Sequence, residues 1–430
     1  MKTDQIQKVH KDWYKLDLSA IVYPTLQRRD FSSVYRLSVL LKEDIDPEIL
    51  QRAVNLTMPR FPTYKAAIRK GVFWRYLEPN DRPGPFVQED VKNPCQPMHF
   101  KGNNRYLVRI YYYRNRIALE AHHSLGDGTG GMCVLQTLTA TYLRLKGHSE
   151  IENGGFVLDI LGIPDPGELE DAYMKYANAK VCPPRPGEKT YRVRGTKEPF
   201  YTLNIIDGIM SVSEVMQVAK SYNATITEYL NSVLLYVLMQ KQESEWHLKL
   251  RPVKIAMPVN LRRFFPSRTL RNFITMIYPG IDPRLGEYTF EEIVTQVHNY
   301  MRYYLNEKLL RGDITTNAET QRNPFIRIVP LFIKDLVVRQ FYTKIQDKNS
   351  SAGLTNMGAL KVPETMKPYI ERFDIYMGQP FSTRTNCAIA SFEDILTINF
   401  ASSIAETDVE RLFFRKLVQD GIHVKIESNR

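Results

Sequence analysis

The sequence predicts a mixed α/β protein of the α+β type, arranged in two lobes. Strand-like and helix-like segments are both frequent, but they do not follow the regular βαβ alternation that builds a parallel sheet. Residues 146–200 carry Pro164, Pro166, Pro183, Pro184 and Pro186. Proline at that density extends neither helices nor central strands, so this stretch reads as a crossover. Strand and helix patterns resume beyond it. The expected division is 1–180 for the first lobe, 181–200 for the proline-rich crossover and 201–430 for the second lobe.

Along the chain, residues 33–42 (SVYRLSVLLK) alternate in part and are rich enough in β-branched residues for a strand. Asp46-Pro47-Glu48 then opens a helix, aspartate as the cap and proline in the first turn, with Leu50, Ala53, Val54 and Met58 on its buried face. Residues 64–68 and 72–77 form a hairpin pattern. In the second lobe a strand is expected over 201–206, and helices over 213–222 and 225–240. Ser211 and Glu214 have capping-box spacing for the first of these helices. Residues 252–259 read as a strand, and 290–308 and 330–344 as helices. The strand patterns at 373–377, 385–392 and 395–400 fit antiparallel pairing, and a last helix covers about 406–420.

Composition narrows the class. With 430 residues, 43% hydrophobic and 24% charged, the chain is long enough for a well-buried core and has the profile of a soluble globular protein. No run approaches the ~18 apolar residues of a membrane span, and the start lacks a signal-peptide core. The four cysteines are scattered, without disulfide or zinc spacing, which points to a reducing cytoplasm. The net charge of +11 suits an anionic partner such as a phosphate-rich cofactor, an acidic carrier or a membrane surface. Basic helices, zinc fingers and ribonucleoprotein signatures are absent, which argues against nucleic acid.

The informative stretch is Ala121-His122-His123-Ser124-Leu125-Gly126-Asp127-Gly128. Before it, the apolar runs 105–113 and 116–122 flank Arg114-Asn115 as a hairpin would. After it, Leu135, Leu138, Tyr142 and Leu145 recur at helical spacing. Alternation along the strand puts Ile117, Leu119, Ala121 and His123 on one face, with Ala118, Glu120 and His122 on the other. The two imidazoles therefore occupy different environments, and only one can be the working group. Three other readings compete. The pair could be ordinary buried histidines. A metal site of His122, His123 and Asp127 is opposed by the divergence of adjacent strand residues. Gly126, Gly128 and Gly131 spell a dinucleotide fingerprint, opposed by Asp127 where a pyrophosphate must lie and by a strand that closes a hairpin rather than opening a βαβ unit.

The stretch resembles the HHxxxDG signature of the acyltransferase superfamily built on the chloramphenicol-acetyltransferase fold. That superfamily includes nonribosomal-peptide condensation domains, plant acyl-CoA-dependent acyltransferases and alcohol acetyltransferases. Residues 13–24, with Leu16-Asp17 and Tyr23-Pro24, are similar to the opening of bacterial alcohol-acetyltransferase-like proteins. Pro258-Val259-Asn260-Leu261-Arg262, followed by Asn272-Phe273, resembles the superfamily's second-lobe segment. Leu354-Thr355-Asn356-Met357-Gly358 resembles a segment found between strands, although Asn and Gly also make a plain turn.

The resemblance implies two chloramphenicol-acetyltransferase-like lobes, each a mixed, mostly antiparallel sheet with flanking helices, enclosing an active-site tunnel. It implies His123 as catalytic base, Asp127 as the organising carboxylate, His122 and Gly128 as motif support, and Arg262 as the partner of Asp127. Thr355 and Asn356 would contact the substrate or the oxyanion. No metal or bound cofactor is implied; acyl-CoA, or the phosphopantetheine of an acyl carrier protein, would be the co-substrate. The expected reaction is direct transfer of an acyl group from the thioester to a small alcohol. Two alternatives stay open at this stage: an amide-forming condensation enzyme that takes its donor from a carrier protein, with an amine acceptor, and a non-catalytic docking relative of the fold. The absence of a G-x-S-x-G elbow agrees with a mechanism that has no acyl-enzyme.

Overall fold

A computed structural model of the chain describes residues 13–27, 31–180, 188–245, 247, 249–344, 349–378 and 383–430. Pro183, Pro184 and Pro186 of the expected crossover lie outside the described residues. Two sheets dominate. The first has five strands, in the order Ile370–Met377, Val34–Leu41, Arg116–His122, Val108–Tyr113 and Val87–Glu89. The second has eight, built around Val253–Asn260, Ala352–Ala359, Thr385–Phe392, Ile395–Ser402 and Asn204–Ser211. Most pairings are antiparallel. Ala352–Ala359, however, runs parallel to both of its neighbours, and Val87–Glu89 runs parallel to Val108–Tyr113. A small three-stranded sheet joins Tyr14–Lys15, Arg75–Pro79 and Ala66–Lys70.

Each sheet is covered by helices whose ends follow from local chemistry. Asp46 accepts from the amides of Glu48 and Ile49 and so starts the helix Pro47–Thr57. Thr225 with Glu228 forms a reciprocal capping box for Ile226–Ser244, and Thr289 with Glu292 does the same for Phe290–Tyr304. Ile226–Ser244 is apolar on most sides because it is buried in the second-lobe core, with Leu230, Val233, Leu234 and Val237 fully enclosed.

Several expectations need correction. The helix anticipated over 290–308 ends at Tyr304, because Asn306 accepts from the Leu309 amide and caps a second helix, Glu307–Arg322. Ser211 caps its helix, but the Glu214 carboxylate turns to His423 instead of closing the box. The hairpin anticipated at 64–77 sits a few residues later, as Ala66–Lys70 and Arg75–Pro79. The largest difference is Ile370–Met377. It pairs with Val34–Leu41 in the first sheet, whereas the other two strands of its expected group, Thr385–Phe392 and Ile395–Ser402, pair with each other in the second. Residues 201–430 thus supply an edge strand to the first sheet.

The helix Gly128–Leu145 lies where the two halves meet. Its first turn is pressed so closely against the second half that a Cβ on Gly130 would stand 1.9 Å from the Leu270 carbonyl oxygen. Backbone cannot yield as a side-chain tip can. Gly130→Ala should therefore lower stability by at least about 1–3 kcal/mol, the usual cost of overpacking. Urea unfolding checks this, and an unchanged midpoint would show that the approach is not tight in solution.

Candidate active site

His123 lies just past the end of the strand Arg116–His122, with its amide donating to the Ser33 carbonyl at 2.8 Å. Its ring stacks on Tyr23 at a centroid distance of 4.7 Å and leans on Tyr35 at 4.6 Å. Its carbonyl accepts from Asn272 Nδ2 at 2.9 Å. The same Nδ2 donates to Asp17 Oδ2 at 3.1 Å, and Asp17 Oδ1 accepts from the Ala20 amide at 2.8 Å. Segments from the N-terminus, the first sheet and the second half thus all hold one residue. Nδ1 of His123 is buried without a hydrogen-bond partner. No described hydrogen bond is on Nε2.

His122 points away, as the alternation requires. Its ring is sealed at 0% exposure, meets Phe100 edge-on at 5.5 Å, and accepts the Ser124 amide on Nδ1 at 3.2 Å. It shapes the turn into the helix. Burial depresses the His122 imidazole to about 3, helped by the neighbouring His123 and Arg109 charges. His123 is likewise pulled down by burial, to about 4, against opposing contributions from Asp127, the Asn272 side chain and the Gly126 backbone carbonyl. Part of the His123 surface stays accessible, yet enough protein surrounds the ring for desolvation to govern its charge. Chemistry alone suggests a histidine titrating near neutrality; the site holds a neutral imidazole well below that.

Asp127 is the N-cap of Gly128–Leu145. Its Oδ1 accepts from the amides of Thr129 and Gly130 at 3.1 and 3.2 Å. Arg262 grips the carboxylate in fork geometry, Nη1 to Oδ2 at 2.8 Å and Nη2 to Oδ1 at 3.3 Å. The Phe273 amide adds a bond to Oδ2 at 2.9 Å. Arg262 is itself aimed by the Thr269 carbonyl on Nε and by Asn260 Oδ1 on Nη1. With five donors on it, the Asp127 carboxylate is fully engaged in architecture.

The motif glycines answer a packing demand. A Cβ on Gly126 would meet the Leu270 carbonyl and the Tyr64 hydroxyl, and one on Gly131 the Tyr35 ring. The spacing that mimics a dinucleotide fingerprint thus serves close packing, of Gly126 on the Leu270 carbonyl of the second half and of Gly131 on Tyr35 within the first. Gly128 faces Met357, whose Sδ would lie 3.1 Å from an added Cβ.

Thr355 and Asn356 stand in a different setting from the one expected. Their segment is not a connection but the strand Ala352–Ala359, with a register irregularity after Asn356. Asn356 Nδ2 donates to Thr227 Oγ1 at 2.9 Å, and its Oδ1 accepts from the Gly358 amide at 2.7 Å. Both ends of that amide are therefore engaged within the second half. The described hydrogen bonds place neither Thr355 nor Asn356 on His123. His123, Asp127 and Arg262 are brought together, whereas from this segment it is Met357 that lies against Gly128.

Residues without an assigned role in the sequence turn out to matter. Tyr35 donates from its hydroxyl to the Asp127 carbonyl at 3.1 Å while its ring supports His123. Nothing in a strand pattern marks one tyrosine among 25. Asp17, Tyr23 and Asn272 all fall inside segments quoted for their resemblance, so a signal existed, but only distant contacts reveal what they do. Among the described residues no group of three or more His, Cys, Asp or Glu is placed to hold a metal ion. No helix there is long and apolar enough to cross a membrane.

No protein-family model and no curated protein matches the chain. Solved structures do, at low identity and over almost the whole length. TRI101 of F. sporotrichioides, complexed with coenzyme A and T-2, aligns with a TM-score of 0.62 at 12% identity, covering 96% of this chain and 100% of that one. The starter condensation domain of rhizomide synthetase RzmA, in complex with C8-CoA, aligns at 0.61 and 13%, covering 98% and 100%. Polyketide synthase associated protein 5 from Mycobacterium tuberculosis aligns at 0.57 and 13%, covering 94% and 96%. Likeness over full length on both sides, in an α/β chain with two principal mixed sheets, identifies the architecture: this chain has the two-lobed fold of condensation domains and their acetyltransferase relatives.

Proposed function

We propose that the protein is an acyltransferase that moves an acyl group from acyl-CoA to an alcohol, with His123 as general base. The observation that carries this is an imidazole clamped between two tyrosines and kept neutral by burial, with no described hydrogen bond on Nε2. The acceptor hydroxyl would give its proton to that nitrogen as its oxygen bonds to the thioester carbon. The C–S bond then breaks, and the departing thiolate takes the proton back from the imidazolium. The chemistry needs no covalent enzyme intermediate. Desolvation keeps the base unprotonated at physiological pH.

The developing oxyanion needs a donor. The amides of Thr129 and Gly130 are held by Asp127, and Asn356 Nδ2 by Thr227. The first-turn amide left without a partner among the described residues is that of Gly128, and we assign it this role. The fold's likeness to TRI101 complexed with coenzyme A supports the donor class. So does a cavity of about 320 Å³ lined by Arg194, Lys249, Arg251 and Arg384, at the start of the strand Val253–Asn260 that leads to Arg262. Its charge suits a phosphate-rich donor. The free, buried Cys95, Cys133 and Cys387 fit a reducing cytoplasm. The likeness to a condensation domain of the calcium-dependent antibiotic synthetase favours a second reading, amide formation from a carrier-bound donor.

Free-thiol release from acetyl-, octanoyl- and palmitoyl-CoA, with a panel of alcohols and amines, tests the proposal and separates the two readings. Release that depends on an alcohol supports the first, and release with amines only from a carrier-bound donor supports the second. His123→Ala should lower turnover by about 10²–10⁴ with the fold intact, whereas His122→Ala should chiefly lower stability. Equal loss of turnover in both variants would refute the division of roles.

The pH profile of kcat/KM should fall on the acid side with an apparent pKa near 4 and stay flat between pH 6 and 8 on that limb. A limb near 6.5 would mean that the ring is solvated in solution. Because both histidines bind protons more weakly folded than unfolded, they also make stability decline as pH drops from about 6.5 toward 4.

Asp127→Ala should cost about 3–5 kcal/mol by stranding the buried Arg262, measured by denaturant unfolding. A stable but inactive variant would give the carboxylate a chemical role. Asn272→Ala should lower kcat with little change in KM, and removing its amide strands buried acceptors at about 1–3 kcal/mol. If KM alone rose, Asn272 would be a substrate contact and not a support for His123.

A further inference from the structure

The helix Leu331–Lys344 is unusual for a surface helix because its outward face is the apolar one. Phe332 is 72% exposed, Leu336 59% and Val337 60%, with Ile333 beside them. The spacing of four residues aligns Phe332 with Leu336 and Ile333 with Val337 in one stripe. The short helix before it, Pro324–Ile328, adds Phe325 and Ile328, both about as exposed. The turn of the hairpin Ala66–Lys70 / Arg75–Pro79 continues this surface. Leu331 donates its amide to the Val72 carbonyl at 2.8 Å, Lys334 Nζ donates to the Phe73 carbonyl at 2.9 Å, and the adjoining Trp74 is half exposed. Apolar patches of this extent on a soluble protein mark an interaction surface.

The inward face is polar and firmly tied. Asp335 accepts from Arg75 at 2.8 and 2.6 Å and from the Thr25 hydroxyl at 2.9 Å, and Arg339 Nε donates to the Thr25 carbonyl at 2.8 Å. The helix is therefore anchored with its greasy side out. Thr25 belongs to the short helix Tyr23–Leu26, whose Tyr23 stacks on His123. The exposed surface thus adjoins the element that supports the candidate base.

Charge narrows the occupant. Residues 322–340 carry Arg322, Arg327, Lys334 and Arg339 against one acid, Asp335, which Arg75 and Thr25 already hold. Lys70 lies on the adjoining hairpin, where Arg69 is paired with Glu78, and the whole chain is +11. A two-fold contact between copies would set this cationic rim against itself. Apolar side chains with a tryptophan among them and a cationic rim match a headgroup layer with negative charge above acyl chains. We propose that this face docks the protein on an anionic phospholipid surface, bringing an insoluble acyl chain or acceptor beside the Tyr23 helix.

Flotation with vesicles of phosphatidylcholine alone, and of phosphatidylcholine with phosphatidylglycerol, tests it on the full chain. The protein should float with the phosphatidylglycerol vesicles far more than with the neutral ones, and less so as salt rises. Phe332→Glu and Leu336→Glu should each reduce the bound fraction by about tenfold or more. Both positions are solvent-exposed, so thermal melts of the variants should match the parent. As a second readout without surface charge changes, tryptophan emission should shift to shorter wavelength on vesicle addition, and Trp74→Phe should remove the shift. Failure to float with anionic vesicles, or floating unaltered by both glutamate variants, overturns the proposal. A dimer in lipid-free buffer that Leu336→Glu dissociates would overturn it too, in favour of a second copy of the chain. No thioester is present in these assays, so they are read independently of acyl transfer.

Discussion

The buried pair of Asp127 and Arg262 is the constraint on which the rest of the site depends. Their side chains are only 3% and 11% exposed, and they come from opposite halves of the chain. A carboxylate and a guanidinium in that setting are tolerable only if each is fully hydrogen-bonded. The structure meets that demand on both sides, with three backbone amides on the aspartate and backbone carbonyls on the arginine. The amides belong to the first turn of the motif helix and to Phe273. The carbonyls belong to Thr269 and Arg271. Satisfying one ion pair therefore fixes the helix start and the 269–273 loop relative to each other.

That loop then does two further things. Leu270 presents its carbonyl to the helix so closely that only glycine fits at Gly126 and Gly130. Asn272, two residues on, reaches the His123 carbonyl and Asp17. The carboxylate acts on the imidazole at a distance, by holding the frame in which the imidazole sits. This differs from a hydrolytic triad, in which the acid bonds the histidine ring directly.

The histidine itself is tuned by what surrounds it, and the strongest influence is the absence of water. Tyrosine rings on two sides restrict its orientation and contribute to the desolvation that keeps it neutral. A base of low proton affinity is a weaker proton acceptor than one poised near 7. In exchange, the proposed base would be almost wholly neutral across physiological pH. Substrate in the site would alter this balance, because a developing oxyanion favours the imidazolium beside it.

Local patterns sufficed for much of this. Alternation along residues 117–123 separated the two imidazoles, since a strand leaves adjacent side chains on opposite faces whatever its partners. The Asp46-Pro47 helix start and the second-lobe capping residues were readable for the same reason: caps are made with amides two or three residues away. The general α/β character and the strand-to-helix setting of His122-His123 and Asp127-Gly128 were legible in one dimension. Sheet membership was not. Ile370–Met377 looks like a neighbour of Thr385–Phe392, yet it pairs with Val34–Leu41 more than 300 residues earlier. A strand pattern says that backbone groups need partners without saying which. Nor could a sequence show that Asn356 is held by Thr227, that Tyr35 and Asn272 support His123, or that the 331–344 helix turns its apolar face outward. Those outcomes depend on which side chains meet after the lobes close, and contacts between distant residues are decided by tertiary packing.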